Sequence, residues 1–304
     1  MTARIAFHIG YHKTASTWFQ REAAPRHPGV RMLFTGEPWR DPLLRELVLT
    51  PRRSFDAAAT RRLFDERMDE IRAPDTGIVI GSEERLSGHA ASGGFDTFEI
   101  AERIAAVIPE AMIFAVVREQ VDMIESEYLQ LLQEGSSAGL DAYLEFQPTL
   151  SNAPGFDLGQ YEYDRLADHY VRLFGPTRHR LFEFRAFCAD PRGFLDELAG
   201  YLEIEPWPQL SGDILHRKVN PTLPRRLLGV RRFLNHFERR PLNPYPVVSI
   251  RPFWRGPLWW AASRLPPRRR SLLQTDTRTA LHARYHDSNE RLAEHHGIRF
   301  DSRG

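Results

Sequence analysis

Cysteine is nearly absent from the chain. Cys188 is the only one among 304 residues, which excludes an intramolecular disulfide and a zinc site built on cysteines. Histidines alone remain as zinc ligands, but no spacing in the sequence supports such a site, so no metal is expected. Lysine is almost as scarce: Lys13 and Lys218 are the only two among 41 basic side chains. In an arginine-dominated chain a lysine is chemically selective, since a compact ammonium approaches a reacting phosphate or sulfate oxygen differently from a planar guanidinium. Long apolar runs are missing too. The longest covers 111–117, far below the roughly 20 residues of a membrane span. Residues 1–5 lead straight into a strand-like run without the charged, apolar and cleavage regions of a signal peptide, so the expected location is the cytoplasm. With 42% hydrophobic and 27% charged residues, the composition is globular and argues against disorder, collagen or coiled coil.

The charges are balanced overall, 41 basic against 40 acidic, but not along the chain. Segment 217–270 holds thirteen arginines and Lys218 against one acid, Glu238, together with nine of the 22 prolines and three of the six tryptophans. The rest is correspondingly acidic. A basic, irregular segment therefore accompanies an acidic body.

Short apolar runs at 5–9, 77–80, 112–117 and 181–184 have the texture of buried parallel strands. Helical patterns separate them at 18–24, 60–71, 98–108, 120–132, 163–174 and 191–202. This alternation predicts an α/β fold with three layers, a mostly parallel central sheet flanked by helices on both faces. Ligands of such sheets bind at the carboxyl ends of strands. The division expected is an α/β core over 1–210, a basic Pro/Trp/Arg-rich subdomain or lid over 211–275 with a short helix near 224–237, and a C-terminal helix within 276–304 that packs back on the core.

The strongest local signal is Gly10-Tyr11-His12-Lys13-Thr14-Ala15-Ser16-Thr17-Trp18, between the first strand and a helix. A helix start aims free N–H groups and the positive end of its dipole at one point. Lys13 adds a mobile charge, and Thr14, Ser16 and Thr17 add hydroxyl donors, which together describe a phosphate cradle. The plain alternative is a tight turn with a solvated lysine and capping hydroxyls. The nucleotide P-loop pattern G-x-x-x-x-G-K-[ST] is not met. Nor does the third strand end in the acid that helps hold magnesium in nucleotidases; it ends in Arg118.

His12-Lys13-Thr14-Ala15-Ser16-Thr17-Trp18 resembles the 5′-phosphosulfate loop of sulfotransferases that use 3′-phosphoadenosine 5′-phosphosulfate (PAPS), written [HP]-K-[TS]-G-[ST]-[ST]. The chain departs from it at Ala15, where glycine is usual; alanine tolerates positive φ less well. Arg118 at a strand end, followed by Ser126 in the next helix, resembles the 3′-phosphate motif of the same family. The segment Arg217-Lys218-Val219-Asn220-Pro221 resembles, more weakly, the late loop that completes the cofactor site in bacterial members. The likeness covers about 4–220, with a matching helix at 285–292, and implies a P-loop-like fold. It further implies PAPS as co-substrate without a metal, with Lys13 neutralising charge on the bridging oxygen, Thr17 and backbone amides holding the 5′-phosphate, and Arg118 and Ser126 holding the 3′-phosphate.

Sulfuryl transfer to an alcohol also needs a base for the hydroxyl proton. Glu84, in the segment Gly81-Ser82-Glu83-Glu84-Arg85-Leu86-Ser87 after the second strand, aligns best with the acidic residue of the family's Ser-x-Glu-x-Leu-Ser pattern. Glu83 is second, His12 and His89 are further alternatives, and a helix cap is the plain role for either acid. A sulfate donor nearby would raise the pKa of such a carboxyl by like charge.

The stretch 251–270 admits three readings: a lid over an anionic or carbohydrate acceptor, a patch docking on anionic membrane, or a proline-rich wrap whose arginines pair with the acidic body. The wrap is preferred, and a nucleic-acid partner is not expected. The expected partner is a hydroxyl-bearing acceptor of unspecified class: carbohydrate, lipid or small-molecule alcohol. The competing functions are phosphoryl transfer through a related loop and a noncatalytic anion- or membrane-binding module.

Overall fold

The computed structural model describes residues 4–34, 40–71, 73, 75–145, 155–215, 227–240, 242–246 and 271–300. Five strands form one sheet in the order β2-β3-β1-β4-β5: β1 Arg4–His8, β2 Val30–Met32, β3 Ile78–Ser82, β4 Met112–Val117 and β5 His179–Glu183. Every pairing is parallel, so the sheet is wholly rather than mostly parallel. Alternate residues of one strand serve opposite faces. Ile5, Phe7, Val79, Ile113, Ala115 and Leu181 enter one buried cluster, whereas Ala6, Ile80, Phe114, Val116 and Phe182 enter the other. Two apolar faces on one sheet require a helix layer on each.

The first layer contains α2 Pro42–Val48, α3 Ala57–Ile71, α4 Thr97–Val107, α5 Gln120–Glu134, α6 Leu140–Leu144, α7 Tyr163–Phe174 and a long last helix, Thr275–His296. The second contains a helical segment that begins as α1 Ser16–Trp18, widens into a π turn at Phe19–Ala23 and tightens to 3-10 at Ala24–Arg26, together with α8 Phe184–Ala189 and α9 Pro191–Leu202.

Strand β2 was not expected. It is three residues long, too short for a period, and its registration comes from the Gly29 carbonyl, which accepts from the amides of Gly77 and Ile78. Helix α2 was also missed, although Asp41 caps it by accepting from Leu44 N at 3.0 Å and Pro42 opens it. The fourth expected strand, 181–184, begins earlier at His179 because β5 is an edge strand and can leave Arg180 exposed.

Following α10 Gly212–Leu215 and α11 Leu228–Asn235, we number the last helix α12. It lies against α5 and α7. Asp164 of α7 is buried and accepts from Ser288 Oγ and, at 2.7 Å, from Arg291 Nε; Asn289 and Gln120 exchange side-chain hydrogen bonds. Within the described part of the basic segment, α11 docks on the end of α5. Arg231 donates to the Leu132 and Gln133 carbonyls, Asn235 to those of Leu132 and Ser136, and Arg232 to that of Ser137. Arg231 and Arg240 pair with Glu238, the segment's own acid. Arg231 and Arg232 thus go to unsatisfied carbonyls at the negative dipole end of α5. Arg251 to Arg270, the stretch given the lid, membrane and wrap readings, lies outside the described residues. No described helix is long and apolar enough to cross a membrane.

Asp164→Ala should lower stability by about 2–3 kcal/mol, because Ser288 and Arg291 then lose a buried partner. Urea denaturation reads the loss, and hydrogen exchange should locate it in α12.

Candidate functional site

β1 is the central strand, and its exit loop stays hydrogen-bonded to β4: Ile9 N donates to Phe114 O at 3.0 Å, Tyr11 N to Val116 O at 3.1 Å, and Val116 N to Gly10 O at 2.8 Å. On the other side Glu83 N donates to His8 O at 3.2 Å. The loops after β1, β3 and β4 therefore converge at the carboxyl ends of adjacent strands, which brings the Lys13 loop, Glu83-Glu84 and Arg118 into one region.

Gly10 allows this convergence. Its φ is +102°, and a Cβ there would stand 3.4 Å from the Cα and carbonyl oxygen of Glu84 and from Ser87 Oγ. Lys13 and Ala15 also adopt left-handed backbone, with φ 59° and 67°. Ala15 thus occupies a left-handed conformation that favours glycine, at a cost of about 1 kcal/mol. It immediately precedes the helix beginning at Ser16.

The hydroxyls divide their tasks. Thr14 Oγ1 is buried and donates to Tyr11 O at 2.6 Å, which ties the loop to itself. Ser16 Oγ donates to Glu84 Oε1, joining the loop to the end of β3. Thr17 and Lys13 are half-buried. Trp18 is buried against Phe187 and donates its indole N–H to Ile214 O at 2.9 Å, so its ring anchors the helix in the core.

Glu84 is the best-connected acid. Its Oε2 lies 3.1 Å from His12 Nδ1. Burial alone would raise its pKa, but the hydrogen bonds and charge of His12, the Ser16 hydroxyl and the Lys13 charge outweigh it and hold the group below the ordinary carboxylate value. These neighbours oppose the upward shift that a sulfate donor would bring. Burial would lower His12, but Glu84, with Glu127 and Glu134 further off, raises it to about 9. The pair is accordingly imidazolium and carboxylate at neutral pH.

Glu83 behaves differently. Burial raises its pKa, and its side chain caps the 3-10 turn Glu84–Ser87 through Arg85 N. His89 also organises a loop: its Nδ1 is 2.9 Å from Ser92 Oγ and its amide donates to Asp96, which pairs with Arg85. Arg118 follows β4 with its guanidinium 5.1 Å from the centre of the Phe184 ring and 3.7 Å from Asp122. Ser126 is half-buried in α5. Arg217, Lys218 and Asn220 lie outside the described residues.

Beside His12 is a cleft with about 240 Å³ of empty space, part of it open to solvent, lined chiefly by Tyr11, His12, Ser87, Met123, Gln160 and Tyr161. Sequence reasoning missed most of these residues, together with Glu127. Glu127 is 2% exposed, and burial raises its pKa while His12 and Lys13 act the other way. Its signal was an acid at helical spacing from Met123, Ile124 and Leu131, inside the apolar stripe of α5. Metal-capable groupings among the described residues lie elsewhere. Asp168, His295 and His296 gather near His179, at the amino end of β5, and the other, His286, Asp287 and Glu290, is exposed on α12.

No protein-family model matches the chain, and no curated protein is significantly similar. Among solved structures, a sulfotransferase from Alicyclobacillus acidocaldarius superposes with a TM-score of 0.58 at 15% identity, over 99% of this chain and 98% of that one. More distant are the sulfotransferase domain of the Synechococcus PCC 7002 olefin synthase (TM-score 0.41, 17% identity, 93% and 94% covered) and retinol dehydratase in complex with retinol and PAP (0.39, 9%, 99% and 84%). The chain has the sulfotransferase fold over nearly its whole length, which follows from the first of these likenesses.

The His12–Glu84 pair makes a pH dependence testable. His12 binds its proton more tightly folded, at about 9, than unfolded, near 6.5. Its contribution is therefore complete below pH 6.5 and is lost as pH rises through 9, by at most about 3 kcal/mol. Urea midpoints should fall across pH 7–9 in the wild type and stay flat over that window in His12→Gln.

Proposed function

We propose that the chain transfers a sulfuryl group from PAPS to an acceptor hydroxyl and releases 3′,5′-ADP. The observation that carries this reading is the convergence of the Lys13 loop, Glu84 and Arg118 at the carboxyl ends of three adjacent strands. The donor set fits a nucleotide that carries two separate anionic groups. Left-handed turns at Lys13 and Ala15 shape a loop leading into a helix start, and Arg118 stands one strand away with an aromatic partner.

In this reading Lys13 stabilises the charge that grows on the oxygen between sulfur and the 5′-phosphate. Thr17 and the loop amides hold that phosphate, Arg118 and Ser126 hold the 3′-phosphate, and Arg217, Lys218 and Asn220 complete the site. Glu84 takes the acceptor proton as the acceptor oxygen forms its bond to sulfur and the sulfur–phosphate oxygen bond breaks. The electron pair of that bond leaves on the 5′-phosphate, which Lys13 neutralises. His12 and Ser16 keep Glu84 ionised and aimed. Neither step assigns work to a metal, because Lys13 and the helix dipole do the neutralising. The enzyme is read as acting in the cytoplasm.

Calorimetric titration with 3′,5′-ADP and, separately, with ATP and magnesium tests the donor class. Micromolar binding of the bisphosphate that weakens at least tenfold in Lys13→Ala and in Arg118→Ala is expected. Preference for magnesium–ATP would favour phosphoryl transfer, and intact function in Lys13→Ala would favour the noncatalytic module.

The two acids separate in turnover. Glu84→Gln should cost about 10²–10⁴ in kcat with 3′,5′-ADP binding retained, as expected for a lost base. Glu83→Gln, which keeps an oxygen for the cap, should stay within about tenfold.

A further inference from the structure

Where α7 meets α12 it carries two acids one turn apart, Asp164 and Asp168, a spacing that stacks both side chains on one side of the helix. Along α12, Ser288, Arg291 and His295 recur at three and four positions and share a face in the same way. Asp164 is satisfied by Ser288 and Arg291. One turn on, the pairing repeats with different chemistry: Asp168 Oδ1 lies 2.8 Å from His296 Nε2 and 3.7 Å from His295 Nδ1. The sulfuryl-transfer reading uses none of these three residues. They stand near His179, the first residue of β5, whereas the Lys13 loop lies at the carboxyl ends of the parallel strands.

Two imidazole nitrogens and one carboxylate oxygen here lie within 4.8 Å of one another. Ligands held at 2.0–2.2 Å around one tetrahedral ion stand about 3.4 Å apart. The two Asp168 distances bracket that value, and the imidazoles need to close by at most about 1.4 Å to reach it. The His295 side chain is 48% exposed and has room for that move, whereas His296, at 7%, is held in the packed joint between the helices.

Two features of the surroundings favour a bound cation. His295 and His296 end α12, where the last carbonyls form the negative pole of the helix dipole. Beside them His179 is 7% exposed, its ring edge-on to that of His296 with centres 5.7 Å apart, and neither of its ring nitrogens has a hydrogen-bond partner among the described residues. Buried polar groups without partners are rare in native folds. Water on a metal ion next to His296 would supply a donor for one of those nitrogens, the kind of outer contact that commonly supports a metal site.

We propose that Asp168, His295 and His296 bind one divalent transition-metal ion of the zinc type, which clasps the end of α12 to α7. Two imidazoles and a carboxylate suit zinc and its neighbours, whereas calcium and magnesium take sets of oxygen ligands. The role is structural, since the ion would lie away from the strand ends that carry the Lys13 loop. Asp168 and His296 are 128 positions apart in the chain, which is why no spacing in the sequence announces the site and none was expected.

Calorimetric titration of the full-length chain with zinc chloride, and separately with magnesium and calcium chloride, tests the proposal. One zinc per chain at micromolar affinity is expected, with no response to magnesium or calcium. His295→Ala, an exposed position whose loss the fold should tolerate, and Asp168→Asn should each weaken zinc by about tenfold or more. His286→Ala in the other metal-capable grouping and Cys188→Ser at the exposed thiol should leave it unchanged. Zinc should also raise the urea midpoint of the wild type, reversibly with EDTA, and protect α12 from hydrogen exchange, but do neither in His295→Ala. Absence of zinc binding, equal affinity for calcium or magnesium, or zinc binding that survives in folded His295→Ala and Asp168→Asn would overturn the proposal. So would binding lost in His286→Ala or Cys188→Ser instead. None of these outcomes bears on 3′,5′-ADP binding, so this site and the sulfuryl-transfer reading fail separately.

Discussion

The clasp of Glu84 between His12 and Ser16 is the interaction on which the site's geometry depends. A carboxylate withdrawn from water is tolerated only when paired and hydrogen-bonded, so the loop after β1 and the turn after β3 must keep a fixed distance. Gly10 suits that approach, since its φ of +102° is a backbone conformation that strains any other residue. The same clasp leaves the Lys13 loop anchored at both ends, by β4 through its backbone and by Glu84 through its side chains. Lys13 is half-buried at the site, with its charge acting on Glu84.

Helix α5 extends that order to the rest of the molecule. Arg118 just precedes it, and Ser126 and Glu127 lie along it. Gln120 meets Asn289 of α12, and buried Glu125 accepts from the amide of Leu272 at 2.9 Å, which brings the chain back before α12. The last carbonyls of α5 receive Arg231 and Asn235 of α11. One helix therefore links the proposed cofactor groups, the cleft beside His12, which Met123 lines, and the C-terminal elements.

Charge is divided across the site. The cations Lys13 and Arg118 belong to the proposed donor side, whereas the cleft beside His12 is lined by the rings of Tyr11 and Tyr161, the Gln160 amide and Ser87.

The sequence alone determined the sheet's central strands, because a parallel strand buried on both faces must be apolar throughout, as 112–117 is. It also marked the loop from Gly10 to Trp18, where lysine, hydroxyls and a helix start are adjacent in the chain. What it left open followed from distance in the chain. Glu83 and Glu84 are indistinguishable as neighbours, and only the fold turns one to cap its own turn and the other toward His12, some seventy residues earlier. Edge strand β2 depends on Gly29 meeting Gly77, and Glu127 becomes unusual only once the folded chain buries it. Local chemistry and period are written residue by residue, whereas burial, and with it the charge state and partners of an ionisable group, is a property of the packed whole.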